Sequence, residues 1–292
     1  MKKNVGMATI VALVCLLPVF GGCSITDAYL YENAGKYTAG NGTATNITNV
    51  EIDWIDGSVE VFYDDVEDVT FYEEAQESLS LEETLHYWVE NSTLHIKFGK
   101  AKGLLFKNAP KKDLKVALPH ALSLSEMEIS TVNADINLSY VMVKDLDVEC
   151  VDADVNAYLV GVSEEVSIET VDGDVRFGGE KLTELNLESV DGEFNVKTGE
   201  LFSLDVDTVA GNVQFSSEVA PKEVDFNSVD GDLIMELGQV SGFSFKMETI
   251  SGAFNCEFET TLKQNRYVYG TGEGEYKADT VDGDVTIYKM AL

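Results

Sequence analysis

Asp152, Asp172, Asp191, Asp230 and Asp282 each follow a branched aliphatic residue, and Asp154, Asp174, Glu193, Asp232 and Asp284 each stand two positions further on. Carboxylates repeated at a fixed interval are the groups that could hold Ca²⁺, which draws its oxygen ligands from Asp, Glu and backbone carbonyls. Stacked at ~4.8 Å, neighbouring carboxylates repel by about 1 kcal/mol in water, and by several times that at an effective dielectric near 20. A second explanation needs no cation. Asp-Gly suits a tight corner on backbone grounds alone, Gly for positive φ and Asp for its local hydrogen bond. The first row breaks at Ala210 and Ser251, and no copy matches the glycine-rich nonapeptide of calcium-binding β-rolls. The corner explanation is preferred, and neither a metal nor any other cofactor is assigned.

No catalytic constellation accompanies these rows. His86, His95 and His120 lack metal-ligand spacing, and no cysteine pair is spaced for zinc. His95 alternates with Leu94 and Ile96, which predicts a strand position facing solvent. The glycines at 270, 272 and 274 lack the lysine and following helix of a phosphate loop. Each carboxylate is explained by its repeat position, so none stands out as a tuned acid or base.

The rows belong to eight copies of one phrase: TVNADI, CVDADV, TVDGDV, SVDGEF, TVAGNV, SVDGDL, TISGAF and TVDGDV. Aligned on Val132, Val151, Val171, Val190, Val209, Val229, Ile250 and Val281, they are spaced 19, 20, 19, 19, 20, 21 and 31 residues apart. A fixed period of this size marks units that stack on their neighbours. In residues 165–177, Val166, Ile168 and Thr170 alternate with polar residues, Asp172-Gly173 interrupts, and Val175 and Phe177 resume the alternation. That is strand, corner, strand. A small residue (Thr131, Cys150, Thr170, Ser189, Thr208, Ser228, Thr249, Thr280) precedes every aliphatic. Residue types recurring by position favour coils paired in register over an antiparallel meander. The expected fold is an all-β solenoid of two strands per 19–21-residue coil, with an irregular N-terminal section. An inserted coil, a long corner loop or an extra half-turn would each explain the 31-residue gap. The outermost coil would leave an exposed sheet edge, a template for self-pairing.

The N-terminus reads as an export signal: Lys2-Lys3, an apolar run over residues 5–20, then Gly21-Gly22-Cys23. The pattern predicts a lipoprotein signal peptide at residues 1–22 and lipidation of Cys23. Residues 23–46 are expected to be a tether and 47–292 the repeat domain, with 47–119 capping the regular coils of 120–292. Residues 52–61 resemble a degenerate repeat with its own Asp56-Gly57 corner, and 79–88 could form a helical turn because Leu81 and Leu85 are four apart. Cys150 and Cys256 are expected to be reduced, lying several coils apart.

The net charge is −32, and from Glu126 onward 35 acidic residues face 10 basic ones. Repulsion excludes nucleic acid and anionic lipid as partners of that surface. One basic island, Lys97, Lys100, Lys102, Lys107, Lys111, Lys112 and Lys115, packs seven lysines into 19 residues. It is expected to be a solvated loop neutralised by the acidic body, with contact to an anionic membrane surface as the alternative.

Together these features resemble a family of exported bacterial proteins, labelled adhesins, that carry a β-strand-repeat domain of unknown function. The resemblance rests on the TVDGDV-like strings, on residues 52–61 (IDWIDGSVEV), on 114–119 (LKVALP) and on the glycine-punctuated strand at 270–285. It implies a non-enzymatic surface protein, lipid-anchored on the outer face of a Gram-positive cytoplasmic membrane. Its partners would be envelope polymers, surface proteins or copies of itself. A sensing role in envelope stress is the alternative. A β-helix polysaccharide-active enzyme is a weaker rival, because Arg176 and Arg266 are the chain's two arginines and its surface is polyanionic.

Overall fold

Alternating burial converts each repeat into two strands joined at a corner, and parallel pairing stacks the repeats in register. The computed structural model describes residues 34–101 and 109–291. The signal peptide, Cys23, the start of the tether, Lys102 and Lys107 lie outside the described residues. The chain divides into two units between Leu159 and Val160.

The first unit holds β1 (Thr38–Ala39), β2 (Gly42–Ala44), β3 (Asn49–Asp64), β4 (Val69–Ala75), β5 (His86–Glu90), β6 (Thr93–Lys97), β7 (Lys112–Pro119), β8 (Leu124–Val141), β9 (Val143–Asp152) and the start of β10 (Val155–Asp172). β3 is the degenerate repeat, bent at Asp56-Gly57. It runs parallel to β8 from Asn49↔Glu126 to Phe62↔Ser139. On its other side β6 and β7 supply the two halves of an outer coil. Antiparallel strands then cover that coil: β5 on β6, β4 on β7, β1 on β5 and β2 on β4. Among the described residues strand pairing therefore starts at Thr38, ahead of the expected boundary at Ile47. Residues 79–88 give a single turn, in which Thr84 N–H donates to the Ser80 carbonyl. Leu85, just ahead of β5, is buried, whereas Leu81 faces solvent.

The second unit continues β10 and adds β11 (Val175–Asp191), β12 (Phe194–Thr208), β13 (Val213–Val219), β14 (Glu223–Ser228), β15 (Leu233–Gln239), β16 (Gly242–Glu248), β17 (Phe254–Cys256), β18 (Thr261–Lys263), β19 (Arg266–Gly270), β20 (Gly274–Thr280) and β21 (Val285–Lys289). Its core is built of rows. One runs Phe177, Val196, Phe215, Met235, Ile287, Cys256, and another Leu185, Leu204, Val224, Tyr276, Phe245. Each fully buried Val, Leu or Phe contributes about 1.5–3 kcal/mol relative to exposure.

These rows expose a departure from sequence order. β20 pairs with β14 on one side and β16 on the other, and β21 lies between β15 and β17. The copy at Val281 thus sits between the copies at Val229 and Ile250. The 31-residue gap is the path from the outermost coil, through β17 and the β18–β19 hairpin, and back inside it. β19 covers the outer edge of β16 in antiparallel pairing, while β17, three residues long, pairs with β21 alone among the described residues.

The corner glycines also differ from expectation. Gly192, Gly211, Gly231, Gly283 and Gly252 do not have positive φ. A Cβ on each would meet the carbonyl oxygen of the glycine one coil below at 2.0–2.3 Å. The corners need glycine because coils stack backbone on backbone there. Only the first corner fits the positive-φ argument, with Gly57 at 116°. At two corners the preceding small residue closes the turn: Thr208 Oγ1 accepts from Gly211 N–H at 2.9 Å, and Thr249 Oγ1 from Gly252 N–H at 2.8 Å.

Candidate interaction faces

The second acidic row at the corners is structural. The second acid of a corner accepts the backbone N–H of the same corner one coil along. Asp154 N–H donates to Asp135, Glu193 N–H to Asp174, Asp232 N–H to Asn212, Asp284 N–H to Asp232 and Ala253 N–H to Asp284, at 2.6–3.2 Å. The first-row acids Asp152, Asp172, Asp191, Asp230 and Asp282 are exposed, and Asp282 Oδ1 accepts from Ser251 Oγ at 2.6 Å. Among the described residues no group of three or more His, Cys, Asp or Glu could hold a metal ion.

Outward rows on the strands gather charge as well. In the first unit one row reads His95, Glu51, Glu128, Asp147 across β6, β3, β8 and β9, and the next reads Lys97, Asp53, Ser130, Glu149. At the β6 end Lys97 Nζ bridges Glu51 and Asp53, and His95 Nδ1 lies 2.6 Å from Glu51 Oε2. Burial pulls the Lys97 ammonium down, but Asp53 and Glu51 outweigh it and hold it raised. Glu128, Asp147 and Glu149, beyond the reach of that lysine, are raised by burial and then by neighbouring carboxylates. His95 is not the plain solvent-facing residue its alternation predicts, since its ring stacks on Trp88 with centroids 5.0 Å apart.

The second unit repeats the arrangement. One row runs Glu188, Asp207, Asn227, Asp279, Glu248, and its neighbour runs Asn186, Asp205, Asp225, Lys277, Lys246. Asp205 is pushed up to about 6 by burial and then by Asp207, Asp225, Glu188 and Glu184. Lys277 and Lys246 close the far end on Asp279 and Glu248.

The basic island does not form one solvated loop. Lys112 is fully buried. Its ammonium lies 2.8 Å from Glu73 Oε2, 2.8 Å from the Glu83 carbonyl and 4.0 Å from the Phe98 ring centroid. Burial depresses it to about 8, against the pull of Glu73. Trp54 Nε1 donates to the Lys112 carbonyl at 2.9 Å. Lys97 is also buried, and Lys100 and Lys115 pair with Glu82 and Glu74. The signal available in sequence was position: Lys112 opens the KDLKVALP strand, and Lys97 closes the alternation of TLHIK. Cys150 and Cys256 are both outside any disulfide, as expected.

The profile of the Toastrack DUF4097 family matches residues 47–288. The chain belongs to that family. A comparison with curated proteins finds no match. Among solved structures, this Toastrack chain is similar to a candidate adhesin from Bacteroides fragilis at 12% identity, covering 87% of this chain and 97% of that one, with a TM-score of 0.49. A candidate cell-adhesion protein from Clostridium sporogenes matches at 14% identity over 87% and 100%, with a TM-score of 0.20. A candidate lipid-binding protein from Parabacteroides distasonis matches at 12% identity over 88% and 98%, with a TM-score of 0.36. The Toastrack match spans the cap and the coils together, from the approach to β3 through β21.

Proposed function

We propose that this Toastrack protein is a non-enzymatic interaction scaffold on the outer face of a Gram-positive cytoplasmic membrane. Residues 1–22 are removed as a signal peptide, Cys23 carries the lipid, and the segment that follows spaces the solenoid from the bilayer. The partners are envelope polymers, surface proteins or further copies of the chain. The observation that supports this reading most is the set of outward polar rows at strand pitch, carried on a core of stacked apolar rows. A rigid face with a repeated spacing suits a ligand that is itself repetitive, because many weak contacts add without new ordering cost.

Two experiments test it. Full-length chain is incubated with purified cell-wall sacculi and with washed intact cells, and saturable retention is expected; retention no greater than that of a heat-denatured sample ends the reading. Fractionation of a Cys23→Ala variant tests the anchor, which predicts loss of the protein from the membrane fraction.

A further inference from the structure

The register of the first unit breaks where its two exposed stacked rings meet. β10 follows β8 from Val155↔Ile136 to Tyr158↔Ser139, after which Leu159 pairs with Val141, so Tyr140 is the extra residue of a bulge. Its φ is 56°, in the left-handed region that a bulky side chain rarely occupies. The bulge turns Val141 into the core opposite Leu159, both buried, and leaves Tyr140 outside. The Tyr140 ring is 67% exposed and stacks on Tyr158, itself 47% exposed, with centroids 6.0 Å apart and planes at 29°. A glycine would carry the same backbone without strain, so a tyrosine at this position points to use of its exposed ring.

The same sheet face carries polar groups in register with the rings. Ser139 lies beside Tyr158 and Asn137 beside Asn156. On β3, Phe62 is opposite Ser139, Glu60 opposite Asn137 and Ser58 opposite Asp135. Lys115, the cation opposite Glu60, is engaged by Glu74 at 3.2 Å.

We propose that this face is a glycan-binding platform, on which amino-sugar rings of an envelope polysaccharide stack against Tyr140 and Tyr158. The proposal rests on the scaffold reading above and names its ligand class. A pyranose ring has a C–H face that packs on an aromatic ring and a hydroxyl rim that hydrogen-bonds amides and alcohols, here Asn137, Asn156 and Ser139. Charge complementarity selects among sugars. Glu60, opposite Asn137, and Asp135 lie on the same face toward the corner, on a chain of net charge −32, which repels uronates and phosphates and attracts an amino substituent. A free ammonium gains further from the tyrosine faces.

The test is calorimetric titration of the full-length chain with hexamers of glucosamine, N-acetylglucosamine and galacturonic acid. Saturable binding of an amino-sugar hexamer, with none of the galacturonate, is expected, and the better of the two amino sugars shows whether ammonium or acetamide is recognised. Tyr158→Ala and Tyr140→Gly should each weaken binding at least tenfold. Their Tm values should hold, since glycine accepts the left-handed backbone at 140. No saturation with either amino sugar, or wild-type affinity in both variants, overturns the proposal. On sacculi, wild-type retention by both variants also overturns the platform while the scaffold reading stands.

Discussion

Asp232 Oδ1 accepts a hydrogen bond from the backbone N–H of Asp284 at 2.8 Å, across 52 residues of sequence. That bond fixes the copy at Val281 directly above the copy at Val229. At the same corner one coil below, Asn212 does the same for Asp232 N–H at 3.0 Å. Asp232→Ala should therefore cost about 1 kcal/mol, and Asp232→Asn, which keeps an acceptor, a few tenths. Urea denaturation of the two variants measures the difference. Equal losses would show that the carboxylate acts through charge and not through this bond.

Gly211→Ala should be more damaging than any corner acid substitution. The new Cβ would stand 2.0 Å from the Gly192 carbonyl oxygen, and neither backbone can move without prising coils apart. A loss of about 2–3 kcal/mol is expected, at the upper end of overpacking costs. Gly161→Ala offers a contrast. It has no neighbour within 4 Å but a φ of 81°, so its penalty of about 1 kcal/mol would be purely conformational.

Lys112 and Glu73 form a buried pair whose two members should not be separable. Lys112→Met leaves the Glu73 carboxylate without its cation and should cost about 3–5 kcal/mol. Adding Glu73→Gln keeps an acceptor for Leu85 N–H, which Glu73 Oε1 now receives at 2.7 Å, and should recover most of the loss. The pair also sets a pH dependence. Lys112 falls from 10.5 to about 8 on folding, so between those values the unfolded chain binds more protons and stability rises with pH. The gain, about 3 kcal/mol over the full window, is complete above 10.5 and lost as pH falls through about 8. Denaturation of wild type and the double variant from pH 7 to 10.5 should show that slope in the wild type alone.

Asp205 predicts the opposite slope at lower pH. Its carboxyl is raised from 3.8 to about 6 in the folded protein, so the folded state holds the extra proton between those values. Stability from this group is present below about 4 and lost as pH rises through about 6. Asp205→Asn should flatten the decline between pH 4 and 6.5 and raise Tm at neutral pH. The gain should stay below about 1 kcal/mol, because the side chain faces water and is screened. Glu188 and Asp207 are raised too, so part of the slope should persist in the variant.

The coils were legible because each strand is half buried, and a period of two survives in any copy that keeps one face apolar. Their spatial order was not, since parallel pairing leaves no trace of which coil is next. One clue was present. TISGAF departs furthest from the repeat, and Ile250 is 83% exposed, as befits an outermost coil; the full TVDGDV at residues 280–285 belongs to an interior one. Lys112 and Lys97 escaped notice because a lysine reads as solvent-facing unless its partner is known, and Glu73 and Asp53 come from distant strands. Tyr140 was hidden for a related reason, as a bulge exists only relative to the strand beside it.

The interposed final coil has a consequence for how the chain reaches this state. Made from its N-terminus, the chain completes β14 to β17 before the strands that will separate them. The copies at Val229 and Ile250, 21 residues apart, can at that moment pair with each other at the ordinary coil spacing. Such a stack would satisfy its hydrogen bonds and most of its apolar rows while being one coil short. Residues 274–289 must then either arrive first or wait for it to reopen. Refolding should accordingly divide into a fast population and a slow one, the slow one being held back by contacts that are locally correct.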